Sequence, residues 1–475
     1  MARTTAARSQ PARSGSECAL EGVMTDDVPF SPLPSEPTTV SREMKIDVLV
    51  LGAGLAGMSA AVTAAQSGAR TVLIERAPMI GGSAAMSGGY VWSMPSVAAL
   101  RAADSGEFQR HGHIVIENYP DTIRWLSECS DPISNEQAAL AGRGRRFDIP
   151  LTFAQLHNRF VARNGLLHCD TEVIDVSRVA SGFSFTISAR GNRSTITARS
   201  VVLTSGGRQA DPAVRSALVN HAFVPPLRGN PYSRGDGASI ATHLGGTINT
   251  ANRGFYGHLY PAGVDAVCPA DFTMLAQYHS KSGVLAGRDG RRFTDESRGD
   301  FANAMALAET GDHAILIWTQ ATQTEITNTA HVPGLPNVDR FEFARRRGAH
   351  AAVAADLSEA SAMATTWGFA PLRLDPDSTS QLSAGGEIYL VESVPAVTFT
   401  FGGIEVNASG CATDSGRNAI PGLFAAGADM SDTYHHGYGG GLSMAVATGR
   451  RAGRLAARHA TYPDGQQGPQ IVGDH

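Results

Sequence analysis

The run Gly52-Ala53-Gly54-Leu55-Ala56-Gly57 constrains this chain more than any other feature. Residues 46–51 before it are mostly apolar and branched, the pattern of a strand buried on both faces. Residues 58–67 after it are rich in Ala and free of Pro and Gly, so they read as a helix. Residues 71–74 make a second strand, which ends at Glu75. Strand, glycine turn, helix and strand within about 30 residues form a unit that binds a dinucleotide. Gly52 and Gly54 allow a tight turn and close approach of a pyrophosphate, and Gly57 allows close helix–strand packing. The helix N-terminus offers free N–H groups to the phosphates. That dipole is worth only about 0.3–1 kcal/mol, so it orients a ligand more than it holds one. Glu75, with Arg76 beside it, stands where a carboxylate meets ribose hydroxyls; a surface glutamate after a strand is the plainer alternative.

Bulk properties bound the rest. At 475 residues the chain exceeds the size at which single cores stop growing, so two domains are expected. A net charge of −5 gives no footprint for nucleic acid. Five scattered cysteines, without CxxC or CxxxxC spacing, speak against a metal site, haem attachment or a disulfide framework. Thiols kept reduced in the cytoplasm are the expectation. No apolar run approaches the roughly 20 residues that span a bilayer. Residues 1–44 lack an apolar core of the secretory type and read as a disordered extension, with Met24 and Met44 as alternative starts.

Further elements are expected as helices at 121–129, 153–162, 238–244, 301–309 and 349–367, and strands at 166–176, 183–189 and 201–204. Between 256 and 397 parallel-strand signals are few. The division is therefore an α/β, Rossmann-type dinucleotide-binding domain in two pieces, 45–255 and 398–460, around an inserted α+β capping domain at 256–397. Residues 461–475 form a tail.

The choice of FAD rests on residues that carry a resemblance. Gly81-Gly82-Ser83-Ala84-Ala85-Met86-Ser87-Gly88-Gly89 resembles the second phosphate and flavin-edge loop of the fumarate reductase/succinate dehydrogenase flavoprotein superfamily. A strand segment around Val173, the run Leu203 to Gly207, Gly235-Asp236-Gly237 and the stretch from Pro421 to Gly453 match in order. The resemblance spans about residues 45–460 and implies FAD. It places the cofactor against Gly52, Gly54, Ala56, Gly57, Glu75, Arg76, Gly82, Ser83, Ser87, Gly88, Gly89, Val173, Gly206, Gly427, Asp429, Gly441, Leu442 and Ser443. The amides of Gly441-Leu442-Ser443 would face the flavin pyrimidine and favour negative charge there. Asp429 is offered for the ribityl contact, because the family's Ala-Ala-Gly-Glu becomes Ala426-Gly427-Ala428-Asp429. The histidine of covalent members falls at Gly82, so noncovalent FAD is expected.

The same resemblance implies substrate contacts. His258 matches the family's first histidine segment, with a satisfied loop histidine as the alternative. Arg298 matches the catalytic arginine only across a two-residue deletion, with a solvated arginine as the alternative. Phe399 replaces the second histidine, and no arginine stands among Tyr434-His435-His436-Gly437-Tyr438. The pattern resembles tricarballylate dehydrogenase-like and 3-ketosteroid Δ1-dehydrogenase-like branches more than true fumarate reductases. His435, His436 and Tyr438 are the local candidates for touching substrate, with a surface histidine pair as the alternative.

The expected reaction is α,β-dehydrogenation beside a carbonyl or carboxylate of a small molecule, with hydride passing to flavin N5. The reverse reduction, an oxygen-using oxidase or monooxygenase, and a flavin-binding protein without turnover remain open. The sequence does not identify the electron acceptor.

Overall fold

The computed structural model describes residues 43–103, 110–139, 142–264, 271–329, 337–383 and 386–462. The expected N-terminal extension lies almost wholly outside these residues, as does most of the expected tail. An eight-stranded sheet runs in the order Cys411–Thr413, Ala419–Ala425, Asn192–Leu203, Glu43–Leu51, Thr71–Ile74 and Leu166–His168. The hairpin strands Thr171–Val179 and Gly182–Ala189 join it through Asn192–Leu203. Glu43–Leu51 pairs in parallel with Thr71–Ile74 on one side and Asn192–Leu203 on the other.

Side chains on a strand alternate between faces, and both faces here are covered. Val48 and Val50 join one core cluster beneath the helix Leu55–Gln66, while Leu49 and Leu51 join the opposite one. That double burial explains why residues 46–51 read as continuously apolar.

The first core is closed by the helix Gly441–Thr461, which crosses Leu55–Gln66 with almost nothing between the backbones. A Cβ on Gly449 would lie 2.3 Å from the Ala56 carbonyl oxygen, and one on Gly453 would lie 2.2 Å from that of Ala60. A Cβ on Gly57 would lie 1.7 Å from the carbonyl oxygen of Gly52. Close packing of turn, helix and helix therefore requires glycine at these three positions.

A second sheet, of five strands, is antiparallel throughout. Its order is Phe255–Pro261, Ile388–Thr400, Ala314–Thr319 and Val284–Gly287, with Ala351–Ala354 also pairing to Ile388–Thr400. Residues 349–367 are thus not one helix, which corrects the expectation. They split into the strand Ala351–Ala354 and the helix Leu357–Thr366, whose Asp356 side chain accepts from the Glu359 amide as N-cap. The single strand expected over 166–176 is also two, Leu166–His168 and Thr171–Val179, separated where Asp170 adopts a positive φ of 47°.

The helix crossing makes a direct prediction. Gly449→Val forces a side chain into the Ala56 backbone and lowers stability by about 1–3 kcal/mol or more. A urea unfolding series checks it; a midpoint equal to that of the unaltered protein contradicts the crossing.

Candidate active site

A cavity of about 710 Å³ lies between the two sheets and is lined by residues from both. The parallel sheet supplies the turn with Gly52, Gly54 and Ala56, then Glu75, Arg76 and Val173. Gly82, Ser83, Ser87 and Gly88 come from the next loop, and Gly206, Gly427, Gly441 and Leu442 from later strand and helix ends. The antiparallel sheet supplies Tyr256, His258, Thr398 and Phe399.

Glu75 is buried, and both of its oxygens are engaged: Ala53 N–H donates to Oε2 at 2.6 Å and Ala77 N–H to Oε1 at 2.8 Å. Burial pushes its pKa up, against those two bonds and Arg76. Each carboxylate oxygen retains a further lone pair for a ligand. Arg76 pairs with Asp236 at 2.7 Å. Gly82 faces the turn, since a Cβ on it would lie 3.2 Å from Gly54 Cα.

Several expected cofactor residues do not line the cavity. Gly57 packs against Gly52, and Gly89, at φ 78°, packs against the Phe147 carbonyl. Ser443 Oγ donates to the Trp92 carbonyl at 2.6 Å, fastening the start of the last helix. Asp429, expected at the ribityl chain, does not line the cavity. Its carboxylate accepts from Ser205 N at 2.5 Å, Ser205 Oγ at 3.0 Å and Gly207 N at 2.9 Å, and it lies behind the wall. Ala428 lines the cavity in its place.

Of the expected substrate residues, His258 and Tyr438 reach the cavity. His258 is buried, and its Nδ1–H donates to the Asp300 carboxylate, which leaves Nε2 as an acceptor without a partner. Burial and the nearby Arg228 charge push the His258 pKa below its ordinary 6.5, with Asp300 acting in the opposite direction. The ring is therefore a neutral base near neutral pH. Tyr278 packs edge-on to it at 5.0 Å and Tyr256 at 5.1 Å. Tyr256 also stacks on Tyr438 at 4.1 Å. Tyr438 Oη accepts from Gly441 N at 2.7 Å, which occupies one of the amides expected to serve the flavin and leaves the tyrosine proton free to donate. Trp92 and Phe399 complete an aromatic wall, with Phe401 and Tyr434 packed against it in the same cluster.

Arg298, His435 and His436 are not brought to the cavity. Exposed Arg298 ends the short turn Glu296–Arg298, whose Glu296 is buried; Gly299 at φ 94° then redirects the chain so that Asp300 meets His258. The loop before Tyr438 is held by buried Asp432, which accepts from Arg110 Nε at 2.9 Å and Asn249 Nδ2 at 2.8 Å. That anchorage turns the Tyr434 ring inward, while the exposed His436 lies 3.8 Å from Glu309 and His435 packs against His436 at 3.9 Å.

Asp300, Tyr256, Tyr278 and Arg228 escaped the sequence reading. Their convergence depends on an irregularity in the second sheet: Tyr256 pairs with Phe399 but Gly257 with Val397, so Thr398 is an extra residue. A tyrosine two positions before His258 was the one signal available, since alternate strand residues share a face.

A glycine-turned parallel sheet, a helix start opening on its cavity, and a tyrosine–histidine wall opposite define a nucleotide-cofactor oxidoreductase. The chain belongs to the FAD binding domain family, whose model matches residues 47–443, and is an FAD-dependent oxidoreductase of that family. It is 24% identical over 461 residues to a fumarate reductase (cytochrome) of Shewanella frigidimarina, covering 87% of this chain and 77% of that protein. It is 25% identical over 445 residues to a urocanate reductase of Eggerthella lenta, covering 83% and 71%. The solved 3-ketosteroid Δ1-dehydrogenase of Sterolibacterium denitrificans shares the fold at a TM-score of 0.67 and 14% identity, covering 87% of this chain and 99% of that one. Among the described residues no helix is long and apolar enough to cross a membrane. Cys129, Cys169 and Cys411 are free thiols.

Two substitutions test the layout. Gly54 has φ −71° and nothing within 4 Å of a built Cβ. Gly54→Val should therefore fold with an unchanged circular dichroism spectrum and melting midpoint of the apoprotein, yet purify without flavin. Full flavin content in that variant contradicts the cradle. Arg298→Ala should keep kcat/KM within about twofold, as exposed substitutions cost within about 0.5 kcal/mol; a larger loss returns Arg298 to the site.

Proposed function

We propose that the protein dehydrogenates a CH–CH bond next to a carbonyl or carboxylate of a small molecule. In this reading residues 45–255 and 398–460 form a Rossmann-type unit for FAD, and residues 256–397 cap the substrate. The fit of the cofactor is supported by the open space over Gly54 and by the facing Gly82 loop. Gly52 and Gly54 would hold the pyrophosphate at the start of Leu55–Gln66, and Glu75 the ribose. Arg76 and Val173 would flank the adenine, and Gly82, Ser83, Ser87 and Gly88 the flavin edge. Gly206 and Gly427, at φ 95° and 63°, allow close approach of backbone to the cofactor. The Leu442 amide remains for the pyrimidine. Without a histidine at Gly82, FAD is held noncovalently, so acid precipitation should leave the colour in the supernatant.

FAD supplies a two-electron acceptor for the hydrogen that leaves the β-carbon as hydride. The single observation that supports this reading is the placement of His258 on the cavity with Nε2 unpartnered. Asp300 holds its Nδ1–H, and its lowered pKa keeps Nε2 unprotonated. Nε2 is then equipped to take the proton from the α-carbon, and Asp300 stabilises the imidazolium that results. The Tyr438 hydroxyl donates to the substrate carbonyl and polarises it. The aromatic wall excludes water, which strengthens both interactions.

Anaerobic addition of a saturated carbonyl substrate should bleach the flavin and yield a product two hydrogens lighter. Bleaching only by an added reductant, with colour restored by an unsaturated acid, would reverse the assigned direction. His258→Ala should lower kcat about 10²–10⁴-fold, the usual size of a general-base contribution. Protonating Nε2 removes the base, so kcat/KM should be flat at neutral pH and fall on an acid limb below the ordinary histidine value of 6.5. A limb above that value contradicts a buried neutral imidazole.

A further inference from the structure

Two guanidinium groups line the cavity among the described residues. Arg76 is paired with Asp236; Arg228 is paired with no carboxylate. Arg228 Nη1 donates to Thr398 Oγ1 at 3.1 Å, Nη2 to the Tyr278 hydroxyl at 3.1 Å, and Nε to the Phe272 carbonyl at 3.4 Å. A guanidinium has five N–H donors; these three bonds and a contact with the Tyr260 hydroxyl leave it short of a full set of partners. All three acceptors are neutral. The nearby Asp300 carboxylate is already spent on His258 and on the Leu259 amide.

The group is aimed by built structure. Arg228 N–H donates to the Val397 carbonyl at 2.8 Å, alongside the strand Ile388–Thr400. Gly229 follows, where a Cβ would lie 2.5 Å from the Thr398 carbonyl oxygen, so the segment hugs the strand. The extra residue at Thr398 turns its hydroxyl to Nη1. A cation withdrawn from water without a counter-charge is costly, and a planar fork with free donors matches a carboxylate. Tyr256, Phe272, Phe399, Tyr438 and Met444 give the same cavity a largely aromatic and apolar lining, with Asn230, Thr273 and the tyrosine hydroxyls as its polar atoms.

We propose that Arg228 anchors one carboxylate of the substrate, so that the enzyme acts on a monocarboxylic acid whose frame, apart from the carbonyl at the reacting bond, is apolar. This rests on the dehydrogenase reading. No second unpaired guanidinium or ammonium lines the cavity among the described residues, which leaves a dicarboxylate with one end unmatched. The carboxylate held by Arg228 fixes the frame against the aromatic wall, while His258 and Tyr438 act on the reacting carbons.

Binding to the FAD-loaded protein tests the anchor without turnover, read from the change in the visible flavin spectrum. The probes are cyclohexanecarboxylate, cyclohexanecarboxamide and cyclohexanone. The unaltered protein should prefer the acid to the amide. Arg228→Met should weaken the acid about 10- to 100-fold, the range of a charge-assisted hydrogen-bonded pair, and leave the amide unchanged. Arg228→Lys, which keeps the charge but not the fork, should fall between. It also serves as the readout if the methionine variant fails to retain FAD. Equal binding of acid and amide, an acid affinity indifferent to both substitutions, or no binding of any probe overturns the anchor. Loss confined to cyclohexanone would assign Arg228 to the carbonyl instead, and also overturns it. Acid binding that depends on Arg228 without flavin bleaching by any saturated acid would spare the anchor and remove the dehydrogenase reading.

Discussion

The bare-backbone contact among the glycine turn and two helices is the constraint on which the rest depends. Gly57 lets Leu55–Gln66 sit against its own turn, and Gly449 and Gly453 let Gly441–Thr461 cross it at the distance of one backbone from another. The two helices begin about 390 residues apart in the chain and open on one cavity. Their dipoles are individually small. Their value lies in convergence, which a side chain at any of the three glycines would undo. The same requirement accounts for Ser443, whose hydroxyl fastens the later helix to the Trp92 carbonyl.

The second sheet brings chemistry to this cofactor side. Strand Phe255–Pro261 carries Tyr256 and His258 on one face, and the irregularity at Thr398 lets the neighbouring strand present Phe399 while its threonine holds Arg228. The electrostatic result follows from position. Arg228 and burial discourage protonation of His258, and Asp300 fixes which nitrogen carries the proton. A neutral imidazole, a free tyrosine proton and an unpaired guanidinium thus meet within an aromatic enclosure.

Much of the first sheet was legible because burial on both faces leaves a continuous apolar run, as at 46–51 and 71–74. Gly52 and Gly57 were legible too, since nothing else fits a contact of under 3 Å. The second sheet was harder to read. Ala-Ala-Val-Ala at 351–354 carries a helical composition, and only its partner strand makes it extended. His258 and Tyr438 stood in recognisable runs. Asp300 did not, because it meets His258 across 42 positions after a glycine changes the chain's direction. Arg298, two residues earlier, looked equivalent in one dimension and points elsewhere in three. Nothing local in the sequence showed that the Asp429 carboxylate would accept from the amides of Ser205 and Gly207, more than 220 positions earlier.

The central claim is that this single cavity holds one FAD with its ring system beside the aromatic wall. Titrating the flavin-stripped protein with FAD, and following quenching of flavin fluorescence, tests it most directly. The account predicts saturable quenching at one FAD per chain, since Trp92, Tyr256 and Tyr438 line the cavity and would quench a ring bound there. A protein that takes up no FAD, or binds it with the fluorescence of free flavin, would contradict it.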